Sequence, residues 1–230
     1  SEKILYVSME KTFEPHAESP DVSALPAIQN GYLTFGSFNR FNKINDNVLT
    51  LWSEILTCRP QTKLVFGAMD DKSVAKKIAD FMIDKGVKES QIIFKPRMTL
   101  LEYLAEHKNI DIMLDAFPYT GGTTTNHAAW MGVPTLTLRG ETLAGCQGLE
   151  IMYTYGLEQF IATDKRDYLN KAIYWADNFA ELSTIRAGMR NQIPTKKLDG
   201  FNIAETLERA FRQSWEMYCR GEAPRSFTVD

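Results

Sequence analysis

The stretch Asp115-Ala116-Phe117-Pro118-Tyr119-Thr120-Gly121-Gly122-Thr123-Thr124-Thr125-Asn126-His127 has the residue types of an anion-holding turn. Two glycines and three consecutive threonines are poor material for a helix interior, yet at a helix start they offer exposed amides and hydroxyls. A helix N-terminus also carries partial positive charge. The plainer reading is one threonine capping the helix with two spare neighbours. His127, one turn into that helix, is placed to meet a ribose or phosphate, or else to pack through a hydrogen bond. Asp115 can hold the loop by accepting backbone N–H groups.

A second loop, Gly36-Ser37-Phe38-Asn39-Arg40-Phe41-Asn42-Lys43, combines a glycine that permits close backbone approach with a lysine at the start of the next helix. Lys43 could set an ammonium against a pyrophosphate, or could be a surface lysine beside an ordinary turn. In a third loop, Lys95-Pro96-Arg97-Met98-Thr99, the backbone and Met98 could frame a base, with Arg97 solvated or on phosphate. A fourth, Arg139-Gly140-Glu141-Thr142-Leu143-Ala144-Gly145, offers Glu141 either to sugar hydroxyls or as a helix cap. Dinucleotide-binding Gly-x-Gly-x-x-Gly, the Gly-Lys-Ser/Thr phosphate loop and the Gly-x-Ser-x-Gly nucleophile elbow are all absent from the sequence.

These loops need a scaffold that brings them to one edge, and the surrounding pattern supplies one. "YLTFGSFN", "KLVFGA", "QIIFK", "IDIMLDAF" and "VPTLTL" read as strands. Helices alternate with them: one opened by Asn45 with Val48, Trp52 and Ile55 on one face, and one capped by Asp70 with Val74, Ile78 and Met82. A short one follows a Thr99/Glu102 capping box. Such alternation predicts an α/β fold with a parallel sheet, whose ligand crevice lies at the strands' carboxyl ends. Beyond Gly140 the pattern predicts helices near 146–155, 165–179, 180–192 and 202–219. Asn202 can cap the last, in which Ile203, Leu207, Phe211, Ser214 and Tyr218 trace a largely apolar face that Trp215 widens. Residues 1–31, with Pro15, Pro20 and Pro26, read as a connector arriving from something upstream, and residues 32–230 as the domain proper, with a helical C-terminal part.

With 44% hydrophobic and 24% charged residues in 230, the chain has material for a packed core. A net charge of −3 with interspersed signs gives no field for a nucleic acid, and no apolar run is long enough to span a membrane. No nucleic-acid or membrane partner is expected, and the location expected is cytoplasmic. Three scattered cysteines and three scattered histidines suggest neither a disulfide framework nor a metal site.

Order and spacing together make the chain similar to the carboxyl-terminal catalytic lobe of the O-GlcNAc-transferase and SPINDLY family, proteins with tetratricopeptide repeats ahead of a two-lobed transferase. The likeness runs through "LPAIQNGYLTFGSFNRFNKI", "IIFKP", "DAFPYTGGTTTNHAAWMGVPTLTLRGETLAG" and "MRNQI" to the Trp215 helix. The resemblance implies a Rossmann-like lobe of the GT-B arrangement, a parallel sheet flanked by helices. It further implies inverting, metal-independent transfer of a sugar to Ser or Thr of proteins, without cofactor, from UDP-GlcNAc or GDP-fucose. The protein acceptor would be reached through the absent lobe or the repeats. Lys43 matches the family's donor-phosphate lysine, Thr123 and Thr124 its phosphate-facing helix start, and His127 a position near the donor ribose. The candidate site is Lys43 for leaving-group stabilisation, with Asn39, Arg40, Pro96, Met98, Asp115, Gly121, Gly122, Thr123, Thr124, Thr125 and His127 binding donor. Gly122 stands where the animal enzymes have a histidine, His127 where they have an acid and Leu100 where they have a lysine. A lobe kept as a noncatalytic interaction module is the competing reading.

Overall fold

The structure, a computed structural model, describes residues 3–7, 14–193 and 200–229, with backbone alone for residues 200–203. Along the chain the elements are β1 (Leu5–Val7), α1 (Pro26–Asn30), β2 (Thr34–Ser37), α2 (Asp46–Cys58), β3 (Lys63–Phe66), α3 (Lys72–Asp84), β4 (Ile92–Phe94) and α4 (Leu100–Glu106). They continue as β5 (Ile112–Leu114), α5 (Thr123–Trp130), β6 (Thr135–Leu138), α6 (Leu143–Thr154), β7 (Ile161–Ala162), α7 (Lys165–Asp177), α8 (Phe179–Gln192), α9 (Gly200–Cys219) and β8 (Phe227–Val229). Two compact units result, residues 15–193 and a smaller one of residues 1–14 with 194–230. Among the described residues no helix is long and apolar enough to cross a membrane.

The larger unit carries a six-stranded sheet in the order β4-β3-β2-β5-β6-β7, every pairing parallel. The chain builds outward from β2 to one edge, then returns to β5 and builds toward the other. Between β2 and β5 the connections diverge, which opens a crevice at the strands' carboxyl ends. One sheet face packs Phe35, Leu64 and Phe66 against helices including α2, whose Trp52 is fully buried with its ring 5.9 Å from that of Phe66. The other face holds Phe38, Val65, Ile110, Met113, Ala128 and Val133. Burial of apolar area on both faces is the main stabilising term.

The helices begin where side chains can satisfy free amides. Asn45 accepts from Asn47 and Val48 N–H at 3.0 and 3.2 Å, and Thr99 and Glu102 form the expected reciprocal box. Two expected caps shift by one residue. Asp71, not Asp70, caps α3, because Asp70 accepts the Arg97 N–H at 2.7 Å from the neighbouring loop. Thr142, not Glu141, caps α6, which starts three residues before the expected position.

The segment 15–31, expected as a connector, is packed into the larger unit. Leu25 and Ala27 are buried, and Gly31 ends α1 with a left-handed φ of 73° that favours glycine. Asp111, at the amino end of β5, accepts the Ala27 N–H at 2.8 Å and the Thr34 N–H at 2.7 Å. The buried Arg186 of α8 donates to Ser23 O and Oγ, Ile110 O and His107 O at 2.8 to 3.1 Å. Polar anchoring of this kind leaves no hydrophobic period in the sequence, so a connector was the natural reading.

In the smaller unit β1 and β8 pair in parallel, and α9 packs on them. Helix α9 starts at Gly200, which puts Asn202 inside its first turn rather than at its cap. The side chain of Ile203 lies outside the described residues. Thr206, Ala210 and Met217 are buried, whereas Phe211 and Trp215 are 65% exposed and Tyr218 73%. The expected apolar face is thus the outer one. Both stripes have helical spacing, and the buried one carries Thr206, Ala210 and Met217 in place of the three large aromatic side chains.

Burial pushes the Asp111 carboxyl up from its ordinary 3.8 to about 6, against the pull of its two amide donors and Arg186. The folded chain therefore binds more protons here than the unfolded chain between those values, and this contribution to stability is lost as pH rises through the window. Asp111→Asn is expected to flatten that part of the pH dependence. It should also cost about 1–3 kcal/mol by turning an N–H donor toward a backbone donor, as read by urea denaturation at pH 5 and pH 7.

Candidate functional site

The loop after β2 and the loop after β5 flank the crevice, and their polar groups meet there. Asp115 is fully buried at the end of β5, and its Oδ1 accepts the Gly121 N–H at 2.7 Å and Asn39 Nδ2 at 3.2 Å. Its Oδ2 accepts the Thr137 hydroxyl at 2.9 Å from β6. One carboxylate thus joins the ends of three adjacent strands. Burial raises the Asp115 pKa to about 6, opposed in turn by Gly121 N–H, the Thr137 hydroxyl, Asn39 and the Lys43 charge.

Lys43 closes a short 3-10 turn, Phe41–Lys43, and extends across the crevice. Its ammonium donates to Thr120 O at 2.9 Å and stands 3.8 Å above the Tyr119 ring. Asn45 reinforces the same bridge by donating to Phe117 O at 2.7 Å. Burial lowers the Lys43 pKa most, the Asp115 carboxylate raises it, and Arg40 lowers it. Arg40 is exposed and contributes a second cation at this rim.

Helix α5 starts at Thr123, with Gly122 in the capping position and no side-chain cap. The three threonines therefore occupy the first helical turn, and none of them is the cap. Their amides lack intrahelical acceptors and open toward the crevice. Thr124 Oγ1 donates to Asn39 Oδ1 at 3.4 Å, so the helix start and the first loop touch. Gly121 lies beneath the hydroxyls: a Cβ there would stand 2.5 Å from Thr125 Oγ1 and 2.9 Å from Thr124 Oγ1. Thr125 is buried and Thr123 exposed.

The remaining candidates are arranged more loosely. His127 is half-buried, with its ring edge-on to Tyr103 at 5.6 Å, and burial lowers its pKa and favours the neutral ring. Tyr103 also meets Phe38 at 5.4 Å, so α4 ties His127 to the loop after β2. Pro96 and Met98 lie beyond the edge strand β4, two strands from the crevice, in the loop that leads into α4. Lys43, Asn39, Asp115, Gly121, Thr124 and Thr125 form one connected cluster, whereas Pro96 and Met98 lie outside it. Among the described residues no three His, Cys, Asp or Glu side chains are grouped to hold a metal ion.

Two residues of the expected turn contribute without having been candidates. Thr120 donates its hydroxyl to Ala144 O at 2.9 Å and accepts the Gly148 N–H at 3.1 Å, inserting itself between a carbonyl and an amide four residues apart in α6. Its own N–H also goes to Ala144 O at 3.0 Å. Tyr119, under the Lys43 ammonium, is the other; half of its surface is exposed. A cavity of about 580 Å³ elsewhere, lined by Ser23, Gln29, Tyr32, Lys63, Lys95 and Lys108, opens over the amino ends of β2 and β3. None of its lining residues belongs to the crevice between the loops after β2 and β5.

The family model Glycosyl transferase family 41 matches residues 24–205. The chain is 33% identical over 219 residues to the probable UDP-N-acetylglucosamine–peptide N-acetylglucosaminyltransferase SPINDLY of Petunia hybrida, covering 92% of this chain and 23% of that protein. It is 26% identical to the corresponding SEC protein of Arabidopsis thaliana, over 85% of this chain and 20% of that one. This chain thus spans about a quarter of the length of such relatives. Among solved structures, a mutant Thermobaculum terrenum O-GlcNAc transferase superposes with a TM-score of 0.77 at 28% identity, covering 91% of this chain and 40% of that one. Anabaena HepE, solved with UDP and glucose, shares the fold at a TM-score of 0.56 and 14% identity, over 80% of this chain and 51% of that one.

Thr120→Val should destabilise the larger unit by about 1–3 kcal/mol, because the Gly148 N–H and Ala144 O would lose a buried partner. Chemical denaturation followed by tryptophan fluorescence measures this. Gly121→Ala is expected to displace the threonine hydroxyls at a cost of similar size, about 1–3 kcal/mol. The same titration reads it.

Proposed function

Because this chain belongs to glycosyl transferase family 41, we propose that it is the nucleotide-sugar-holding lobe of a protein O-glycosyltransferase. The transfer proposed is inverting and needs no metal; the sugar goes to Ser or Thr, and the donor is UDP-GlcNAc or GDP-fucose. Acceptor groups and the general base would come from polypeptide outside this chain, so the isolated lobe would bind donor without turning it over. A cytoplasmic location fits such an acceptor. The observation that carries the reading is the convergence of Lys43, Asn39 and the start of α5 on one crevice.

When the sugar–phosphate bond breaks, negative charge grows on the departing nucleoside diphosphate. Charge developing in a preorganised, partly dry site is stabilised far more than in water. Lys43 is held ready by Thr120 O and the Tyr119 face, so little reorganisation is needed for its ammonium to meet a phosphate oxygen. The amides of Thr123, Thr124 and Thr125, together with their hydroxyls, would receive the other oxygens. Arg40 adds positive potential at the rim. Asp115, deep below, would act on the loop that Gly121 and Gly122 belong to, away from the donor itself. His127 would meet the ribose as a neutral ring, and the backbone at Pro96 and Met98 would frame the base.

Calorimetric titration of the chain with UDP, GDP and their sugar conjugates tests the proposal. One nucleotide is expected to bind, and Lys43→Ala to weaken it about tenfold or more, the scale of one charge-assisted hydrogen bond. A folded chain that binds neither nucleotide, or binds equally well without Lys43, would leave the lobe as a noncatalytic interaction module.

A further inference from the structure

Gly122 poses a question that its own backbone does not answer. Its φ is −116°, outside the left-handed region that demands glycine. A side chain there would meet another residue: a Cβ on Gly122 would stand 2.7 Å from Oε1 and 3.7 Å from Cδ of Gln147, so the carboxamide would have to move aside. The Gln147 carboxamide occupies the space over the α5 cap that a longer residue at position 122 would fill.

The approach of α6 makes this possible. A Cβ on Gly145 would meet Pro118 O at 2.9 Å, and one on Gly148 would overlap the Asp115 carboxylate and the Thr137 hydroxyl. With glycine at both positions, and Thr120 inserted between Ala144 O and Gly148 N, the first turns of α6 press against the loop. Gln147 lies on the turn between these glycines. Its side chain is exposed and makes no hydrogen bond among the described residues, so both carboxamide ends are available at the uncapped opening of α5.

We propose that Gln147 is a donor-binding residue, its carboxamide hydrogen-bonding an oxygen of the sugar diphosphate from α6 in place of a side chain at position 122. The proposal rests on the donor-site reading above. A carboxamide both donates and accepts, so its partner is a phosphate oxygen or a hydroxyl of the attached sugar. The two differ in what the nucleotide alone reports. Loss seen with the free nucleoside diphosphate assigns the contact to phosphate; loss confined to the sugar nucleotide assigns it to the sugar.

The test is calorimetry with UDP, UDP-GlcNAc, GDP and GDP-fucose on the wild-type chain, Gln147→Ala, Gln147→Glu, Gly122→Ala, the Gly122→Ala/Gln147→Ala pair and Lys43→Ala. Gln147 is exposed, so its variants should melt with the wild type. Gln147→Ala is expected to weaken binding about fivefold to tenfold, as for one neutral hydrogen bond. Gln147→Glu should weaken it more where phosphate is the partner, because a carboxylate would face the diphosphate. Gly122→Ala should weaken binding in the wild-type background but cost nothing further once Gln147 is alanine, since the two share one volume. Binding within twofold of wild type for both Gln147 variants, with Lys43→Ala impaired, overturns this inference and leaves the donor site standing. Binding unchanged in Lys43→Ala as well overturns the donor site and this inference with it.

Discussion

A carboxylate removed from water must find its hydrogen bonds among the groups buried with it, and Asp115 finds them on three segments. Gly121 N–H, Asn39 Nδ2 and the Thr137 hydroxyl come from the loop after β5, the loop after β2 and strand β6. Leaving any one of them unmade removes part of what offsets the burial of the carboxylate, at a cost of about 1–3 kcal/mol. The three bonds together fix where the glycine turn leaves the sheet. Everything at the crevice takes its position from that turn: the α5 opening above it, Lys43 across it, α6 beside it.

The same solution recurs at the opposite edge. Asp111 stands four residues before Asp115, at the other end of β5, and gathers the amides of Ala27 and Thr34. Arg186 completes that cluster through carbonyls, so the cation is satisfied by dipoles without a direct ion pair. One short strand therefore carries a buried acid at each end. One acid anchors the entering chain and the other organises the crevice.

Preorganisation is what the crevice has to offer chemically. The Lys43 ammonium is already partly dehydrated and directed by a carbonyl and a ring, and the first turn of α5 keeps its amides without a side-chain cap. Groups fixed in advance stabilise developing charge without the reorganisation that water would require. Glycine serves the same end by absence. At 121, 145 and 148 the missing side chains let hydroxyls, a carbonyl and a carboxylate come closer than any Cβ would allow. Rigid neighbours hold these groups to the tolerance a binding site needs.

The sequence by itself determined the elements that local rules control. Strand runs, the Asn45 cap, the Thr99/Glu102 box and the Gly-Gly-Thr-Thr-Thr opening depend on neighbours within a few residues, and the α/β alternation follows from them. Motif order added the family and placed Lys43 and the threonines at the candidate site. What tertiary structure decided are matters between residues far apart. Lys43 meets Thr120 across 77 positions, and Arg186 holds Ser23 across 163, so the anchoring of residues 15–31 had no local signature. Helix α9 has two stripes of helical spacing, and periodicity cannot say which one a partner will cover. Gln147 reads as an ordinary helix residue until packing sets it against Gly122. Local steric and hydrogen-bond preferences act within one turn or strand; volume sharing and buried polar pairing exist only once distant segments occupy the same space.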